Sequence, residues 1–303
     1  VLILAIGYLA SSLFSRRQTT EFDLEGFGKL PVLVNGRLKP MDTVARTSLL
    51  MFQGRQAVKN PAGAPLKPVA WLLDVLFRPE LADHYQHFEI VHPDVLAMFN
   101  LTTEQGAAKK RFSYAQLSGK LDELDRQAQL AAQTEAPVRT PFQKAVVDLR
   151  EHLVLYNRLK QSLVPPDSAN PLDDYMAFQK GLEAGVAAIR AREQKLPFDE
   201  AAANATLALG QKFEFMANMG YLLAVPPPEN NPDPNAWKPV GAVLLETIQT
   251  RQLNASAMAY AGMAHAWRLQ QSEHFNTIVK LFRKTLEGRY GERLEKSDIE
   301  TSF

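Results

Sequence analysis

The chain has no cysteine in its 303 residues. That excludes disulfides, thiolate metal sites, cysteine nucleophiles and covalent haem attachment through a C-x-x-C-H motif on this chain. It leaves the compartment open. A charge excess is missing as well: 34 Lys and Arg face 33 Asp and Glu, a formal net charge of +1. No global basic surface follows, so nucleic-acid binding has no electrostatic support. Motifs of nucleotide binding (G-x-G-x-x-G, the Walker lysine loop) and of hydrolysis (G-x-S-x-G, H-E-x-x-H) do not occur. No catalytic site is visible in the chain. What is present is the balance of an ordinary folded domain, 46% hydrophobic and 22% charged residues.

Long apolar runs are lacking except at the start. VLILAIGYLASSLF, residues 1–14, is mostly apolar and stops at Ser15-Arg16-Arg17. A full membrane span needs about twenty such residues, and the sequence begins with Val. Residues 1–17 are therefore expected to be the C-terminal part of a transmembrane anchor. The same run also fits a signal-peptide core with Ala10-Ser11-Ser12 near a cleavage site, or a buried helix. Arg16 and Arg17 point mildly to a cytoplasmic domain after the anchor.

Residues 18–29 are polar, with Gly26 and Gly28, and read as a tether. Residues 30–39 then place Asn35-Gly36 between two short extended runs. Both turn residues tolerate positive φ, so a type I′ hairpin is predicted. Pro31 and Pro40 shorten its ladder and suggest an exposed edge. Asp42 or Thr43 is expected to cap a helix to about Phe52, ended by Gly54.

Further helices are predicted at 68–77, 93–99, 113–133 behind Ser113, and 141–163 behind Thr140-Pro141. Residues 171–194 and, after the Asp199 cap, 200–223 continue the helical pattern, and 88–91 reads as a strand. Residues 226–239 hold six prolines in fourteen positions and must form an extended loop. Helices at 238–250, 254–271 and 273–289 follow, with Asn254 and Ser272 as caps and a charged tail behind. The predicted class is mainly α: one multi-helix domain over 30–303, built of stacked antiparallel helices with a small N-terminal β-hairpin. No repeat of fixed period is present.

Six histidines are the main candidates for metal chemistry. His84, His87 and His92 lie close together in ADHYQHFEIVH and could hold a metal with Asp83 or Glu89. Surface or packing roles are the simpler reading. His265 and His274 lie in a helical stretch, and either could be an axial haem ligand, although a lone helical histidine more often packs or caps. Met216, Met219, Met258 and Met263 read as core filler. Trp71, Trp237 and Trp267 read as isolated packing anchors. Asp173-Asp174 and Glu292/Glu295 read as helix-start and tail charges.

The segment GKLPVLVNGRLKPMDTVARTSLLMFQGRQ, residues 28–56, resembles one found in cytochrome c biogenesis proteins of the CcsA (ResC) type. Leu30-Pro31-Val32, Gly36-Arg37, Lys39-Pro40-Met41 and Asp42-Thr43 match that segment in order, and Arg46 follows. A second stretch, SEHFNTIVKLFRKTLEGRYGE at 272–292, is similar to the last soluble helix before the membrane domain of such proteins. The middle of the chain, about 60–235, resembles them only in helical character.

The resemblance implies an accessory soluble domain of a membrane haem delivery and ligation assembly, with a further span expected beyond Phe303. The parent would be part of a cytochrome c haem lyase. Implied partners are a ResB-type assembly protein and apocytochrome c. Haem would enter through the parent assembly, and the domain would lie on the extracytoplasmic side of the cytoplasmic membrane, against the mild pointer of Arg16 and Arg17. The W-W-D segment of the family's membrane domain is not in this chain, so no catalytic residue is carried over. The alternative is a membrane-tethered helical scaffold or chaperone unrelated to haem. In the opening motif, Arg37, Lys39 and Arg46 could contact a carboxylate, either a haem propionate or an acidic partner loop. The simpler reading is that Asp42 caps its helix and pairs with one of these bases.

Overall fold

The computed structural model describes residues 21–228, 231, 233 and 235–301. The expected anchor at 1–17 lies outside them. Among the described residues no helix is long and apolar enough to cross a membrane. The protein is mainly helical, with small antiparallel hairpins.

In chain order the elements begin with α1 (Leu24–Gly28), β1 (Pro31–Val34), β2 (Arg37–Pro40) and α2 (Met41–Gln53). They continue with β3 (Val58–Lys59), β4 (Pro65–Leu66), α3 (Pro68–Phe77), α4 (Pro79–Ala82), β5 (Gln86–Glu89) and α5 (Pro93–Met98). Next come β6 (Arg111–Ser113), α6 (Tyr114–Leu117), α7 (Leu121–Ala132) and α8 (Pro141–Lys160). The long helices α9 (Pro171–Glu193), α10 (Glu200–Met219), α11 (Val240–Thr250), α12 (Ala255–Arg268) and α13 (Ser272–Thr301) complete the order. Two compact units emerge rather than the single domain expected: Asp42–Asn157, and the chain on either side of it.

The flanking unit holds the first hairpin. Asn35 (φ 51°) and Gly36 (φ 74°) both take the left-handed conformation the I′ turn needs. Pro31 pairs with Pro40, Val32 with Lys39, Leu33 with Leu38 and Val34 with Arg37. The exposed edge suggested by the prolines is not observed. All four β1 residues are buried, and Leu33 exchanges backbone hydrogen bonds with Leu223 (2.9 and 3.2 Å). That bridge also explains why α10 stops at Met219 instead of reaching 223. Residues 221–225 are extended because Leu223 pairs with Leu33 and Val225 with Lys238.

The stretch read as a tether is partly folded. Asp23 caps α1 by accepting from Gly26 N (2.7 Å), and Phe27 is fully buried. Helices α9 and α10 pack on each other, as do α10 with α11 and α12 with α13. Gly241 makes the contact between α10 and α11 possible: a Cβ there would lie 2.3 Å from Phe213 O and 2.4 Å from Ala217 N. Asp199 and Asn254 cap their helices as predicted, accepting from Ala202 N and from Ser256 N and Ala257 N. Helix α13 continues through most of the charged tail to Thr301.

In the middle unit, α2 starts at Met41, so Asp42 and Thr43 sit in its first turn and do not cap it. Gly54 (φ 68°) ends it as expected. The helix predicted over 113–133 is broken. Ser113 and Gln116 form a capping box around the short α6, a 3-10 turn carries Ser118–Lys120, and α7 begins at Leu121. Helix α8 ends at Lys160, short of 163. The strand read at 88–91 is β5, shifted two residues earlier and paired with β6. Two hairpins here, β3–β4 and β5–β6, join the predicted one.

The middle unit's core is aromatic. Phe52, Trp71, Phe88 and Tyr156 are at most 1% exposed and meet mostly edge to face or tilted, at 5.2–6.3 Å between centroids. That spacing is within the favourable range for aromatic pairs. Asp74 is buried beneath them. It accepts from Arg78 Nε (2.8 Å) and Tyr85 Oη (2.5 Å), which satisfies its charge.

Candidate functional site

The three clustered histidines are not brought together. His84 is exposed after α4. His92 caps α5, its Nδ1 accepting from Asp94 N (3.2 Å), with its ring edge-on to Phe142 (5.6 Å). His87 is in the core, 0% exposed. Alternation along β5 would put His87 and Phe88 on opposite faces. A register shift between Gln86 and Phe88 sends both inward. Among the described residues no group of three or more His, Asp or Glu could hold a metal ion.

His87 lies against four rings: Phe88 at 4.5 Å, Tyr156 at 5.3 Å, Trp71 at 5.5 Å and Phe52 at 5.8 Å. Neither ring nitrogen has a hydrogen-bond partner. Burial pushes its pKa down to about 3, so the imidazole is neutral at physiological pH.

His265 on α12 and His274 on α13 are close enough to influence each other, a relation the spacing alone left unknown. Burial lowers the His265 pKa and the nearby His274 lowers it further, while Asp173 opposes the shift. His274 Nδ1 lies 3.0 Å from Gln271 Oε1. Met216, Met258 and Met263 are buried, as are all three tryptophans.

The basic residues of the opening motif separate by environment. Arg46 is committed: its Nε donates to Asp42 (2.6 Å) and its Nη1 to Gln56 (3.3 Å). Asp42 therefore pairs with a base of the motif, as the simpler reading had it, from within the first turn. Arg37 and Lys39 project from the same face of β2, two residues apart. Arg37 is exposed and Lys39 half-buried. Among the described residues neither makes an ion pair.

Two cavities lie within the middle unit. The first, about 820 Å³, is lined among others by Gln53, Arg55, Lys59, His84, Arg111 and Gln116. None of its lining residues is Asp or Glu. Arg111 and Ser113 share one face of β6, with Phe112 turned into the core. Arg111 is only 6% exposed, and its Nε has no hydrogen-bond partner. Burial and the nearby Arg55 lower its pKa, with Glu89 opposing. The Glu89 carboxylate is itself paired with Lys110.

Gln53, 3% exposed, also lines this cavity. Its Nε2 donates to Arg55 O (3.2 Å) and Ala57 O (2.9 Å). Those two carbonyls fix which end of the amide is which. Its Oε1 is left buried without a donor. The sequence reading missed this cavity entirely. Arg111 follows Lys109-Lys110 in the sequence, and residue type and spacing assign it no role.

The second cavity, about 630 Å³, is a groove with Leu50, Met51, Val91 and Val95 beside His92 and His152. Leu50, Met51 and Val91 are exposed at 43%, 50% and 69%. Burial lowers the His152 pKa, with Asp148 and Glu151 opposing.

The described residues define a mainly helical protein with a cation-lined cavity. No protein-family model matches the chain, and no characterised protein sequence is significantly similar to it.

Proposed function

We propose that this chain is the accessory soluble domain of a membrane cytochrome c assembly protein of the CcsA (ResC) type. In this reading it binds a partner protein or apocytochrome c and leaves the haem chemistry to the membrane domain. A membrane anchor at residues 1–17 and an extracytoplasmic position belong to the same reading.

One observation carries it. The two segments that resemble the family, 28–56 and 272–292, are far apart in sequence, yet α13 of the second packs on β2 of the first within the flanking unit. The F-N-x-x-V stretch of α13 also holds the residues just ahead of the first segment: Asn276 Oδ1 accepts from Asp23 N (2.6 Å), and Asn276 Nδ2 donates to Glu21 O (2.8 Å). Phe275 is fully buried against Phe22 (5.3 Å) and Phe27 (6.0 Å). Strand β2, on which α13 packs, carries Arg37 and Lys39. Similarity confined to two short segments has more weight when part of one packs on part of the other than when they are unrelated patches. The exposed Arg37 and half-buried Lys39 then form a cationic edge suited to an acidic partner loop or a propionate.

The test is deletion of the coding region for residues 21–301 in the source organism, followed by haem staining of membrane c-type cytochromes. Loss of covalently haem-bearing cytochromes at unchanged apocytochrome levels is expected. A normal cytochrome complement would overturn the reading and leave a membrane-tethered scaffold unrelated to haem. Arg37→Ala with Lys39→Ala should weaken partner association while leaving the fold intact, because among the described residues neither side chain has an ion-pair partner to lose.

A further inference from the structure

We infer that the cavity around Arg111 is a binding site for an organic carboxylate that also carries an N–H donor. Free acylated amino acids and the C-terminal residue of a peptide share that chemistry.

The argument starts from two buried polar atoms that the protein leaves unpaired in one place. A guanidinium keeps its proton at any physiological pH. Burying it without a hydrogen-bond partner is costly, and natural proteins pair nearly all such groups. Here Arg111 is 6% exposed, its Nε is unpartnered, and its nearest electrostatic neighbours include a second cation, Arg55. Glu89, opposite Arg111 in the β5–β6 register, offers attraction at a distance but is paired with Lys110. Such an arrangement is unfavourable in the empty protein and becomes favourable when an anion enters. Arg55 and Lys59, both exposed among the cavity's lining residues, add charge that draws an anion inward.

Gln53 Oε1 narrows the ligand class. It is a buried acceptor without a donor, and its own amide N–H groups are tied to Arg55 O and Ala57 O. An anion that offers only acceptors, such as sulfate, would meet this oxygen unfavourably. A carboxylate whose molecule also carries an N–H group satisfies both orphans. The volume of about 820 Å³ admits an amino-acid residue with chain to spare. The inference does not rest on the proposed function: Gln53 and Arg55 fall in the family-like segment 28–56, but the argument uses only their burial, charge and hydrogen-bond partners.

The experiment is calorimetric titration of the full chain with N-acetylglycine, N-acetylglycinamide, acetate, sulfate and N-acetyl-trialanine bearing a free C-terminus. Saturable binding of N-acetylglycine or the peptide is expected. The uncharged amide should bind about 10- to 100-fold more weakly, the difference a lost charge-assisted hydrogen bond makes. Tighter binding of the peptide assigns the site to a chain terminus, and tighter binding of N-acetylglycine assigns it to a free acid.

Arg111→Met should abolish binding without lowering the thermal midpoint of the unliganded protein, because it removes a buried unpaired charge. If that variant fails to fold, Arg55→Ala serves as the second variant and should weaken binding several-fold. The inference is overturned by no saturable carboxylate binding at millimolar concentration, by sulfate binding as tightly as N-acetylglycine, or by unchanged affinity in a folded Arg111→Met protein.

Discussion

His87→Phe should make the middle unit more stable and less sensitive to acid. The native imidazole is fully buried among Phe52, Trp71, Phe88 and Tyr156, with both nitrogens unpartnered. A buried polar group without a hydrogen bond costs about 1–3 kcal/mol. Phenylalanine keeps an aromatic ring in the same cage and removes that cost. Its slightly larger ring has to be accommodated, and overpacking offsets part of the gain. A net stabilisation of about 1–2 kcal/mol near pH 7.5 is expected.

Acid sensitivity follows from the same burial. The folded-state pKa is about 3, below the ordinary value of about 6.5 in the unfolded chain. Between these values the unfolded state binds the proton and the folded state does not, so stability rises with pH across that window. The contribution is fully present above about pH 6.5 and is lost as pH falls toward 3. At about pH 5 the loss attributable to His87 is about 2 kcal/mol, from 1.36 kcal/mol per pH unit over about 1.5 units. His152 and His265 are shifted the same way and remain in both proteins, so comparison with the variant isolates His87.

The assay is urea denaturation at about pH 7.5 and pH 5, combined with hydrogen-exchange mass spectrometry on peptides spanning 68–90 to localise the effect. The native protein should lose about 2 kcal/mol more than His87→Phe between the two pH values. Equal acid sensitivity, or a variant destabilised at both pH values, would refute the claim that His87 is a buried neutral ring without partners.

Two further outcomes follow from contacts in the flanking unit. Gly241→Ala would place its Cβ 2.3 and 2.4 Å from backbone atoms of α10, so α10 and α11 must separate. A loss of about 2–3 kcal/mol, seen as a lower thermal midpoint, is expected. Ser162→Ala removes the acceptor for Tyr221 N (2.9 Å) and Leu222 N (3.2 Å). Tyr221 N keeps Arg158 O (3.2 Å), but Leu222 N is orphaned; since Ser162 is 1% exposed, a cost of about 1–3 kcal/mol is expected, with faster amide exchange at residue 222 while distant helices keep their protection.

Local chemistry was legible in the sequence and tertiary partnership was not. Asn35-Gly36, the Ser113 cap, Asp199, Asn254 and Gly54 all did what their side chains or backbone freedom dictate, because each signal is complete within a few residues. Boundaries failed where a distant segment claimed the chain. Leu223 belongs to a bridge with Leu33, and nothing near residue 223 announces this. The division into two units was invisible for the same reason: α2 and α8 read as unbroken periodic helices, yet the unit boundaries fall at Met41/Asp42 and Asn157/Arg158 within them.

The contrast between Arg37 and Arg111 shows how this affects the search for a site. Both lie in short strands with lysine one or two positions away, so residue type and spacing rank them alike. The family-like motif drew attention to Arg37, which proves exposed, where a cation is well solvated and costs little. Arg111 was passed over within Lys109-Lys110-Arg111, yet it carries the cation that is hardest to explain in an empty protein. Its burial depends on Phe112 anchoring β6 in the core and on β5 supplying the paired strand. Glu89, its register partner, is taken by Lys110. A one-residue shift of β6 would turn Arg111 outward and leave Lys110 or Phe112 facing the cavity. The chemistry proposed for the cavity therefore depends on the β5–β6 register, which the bulge at Gln86–Phe88 sets and which no count of charges along the chain reveals.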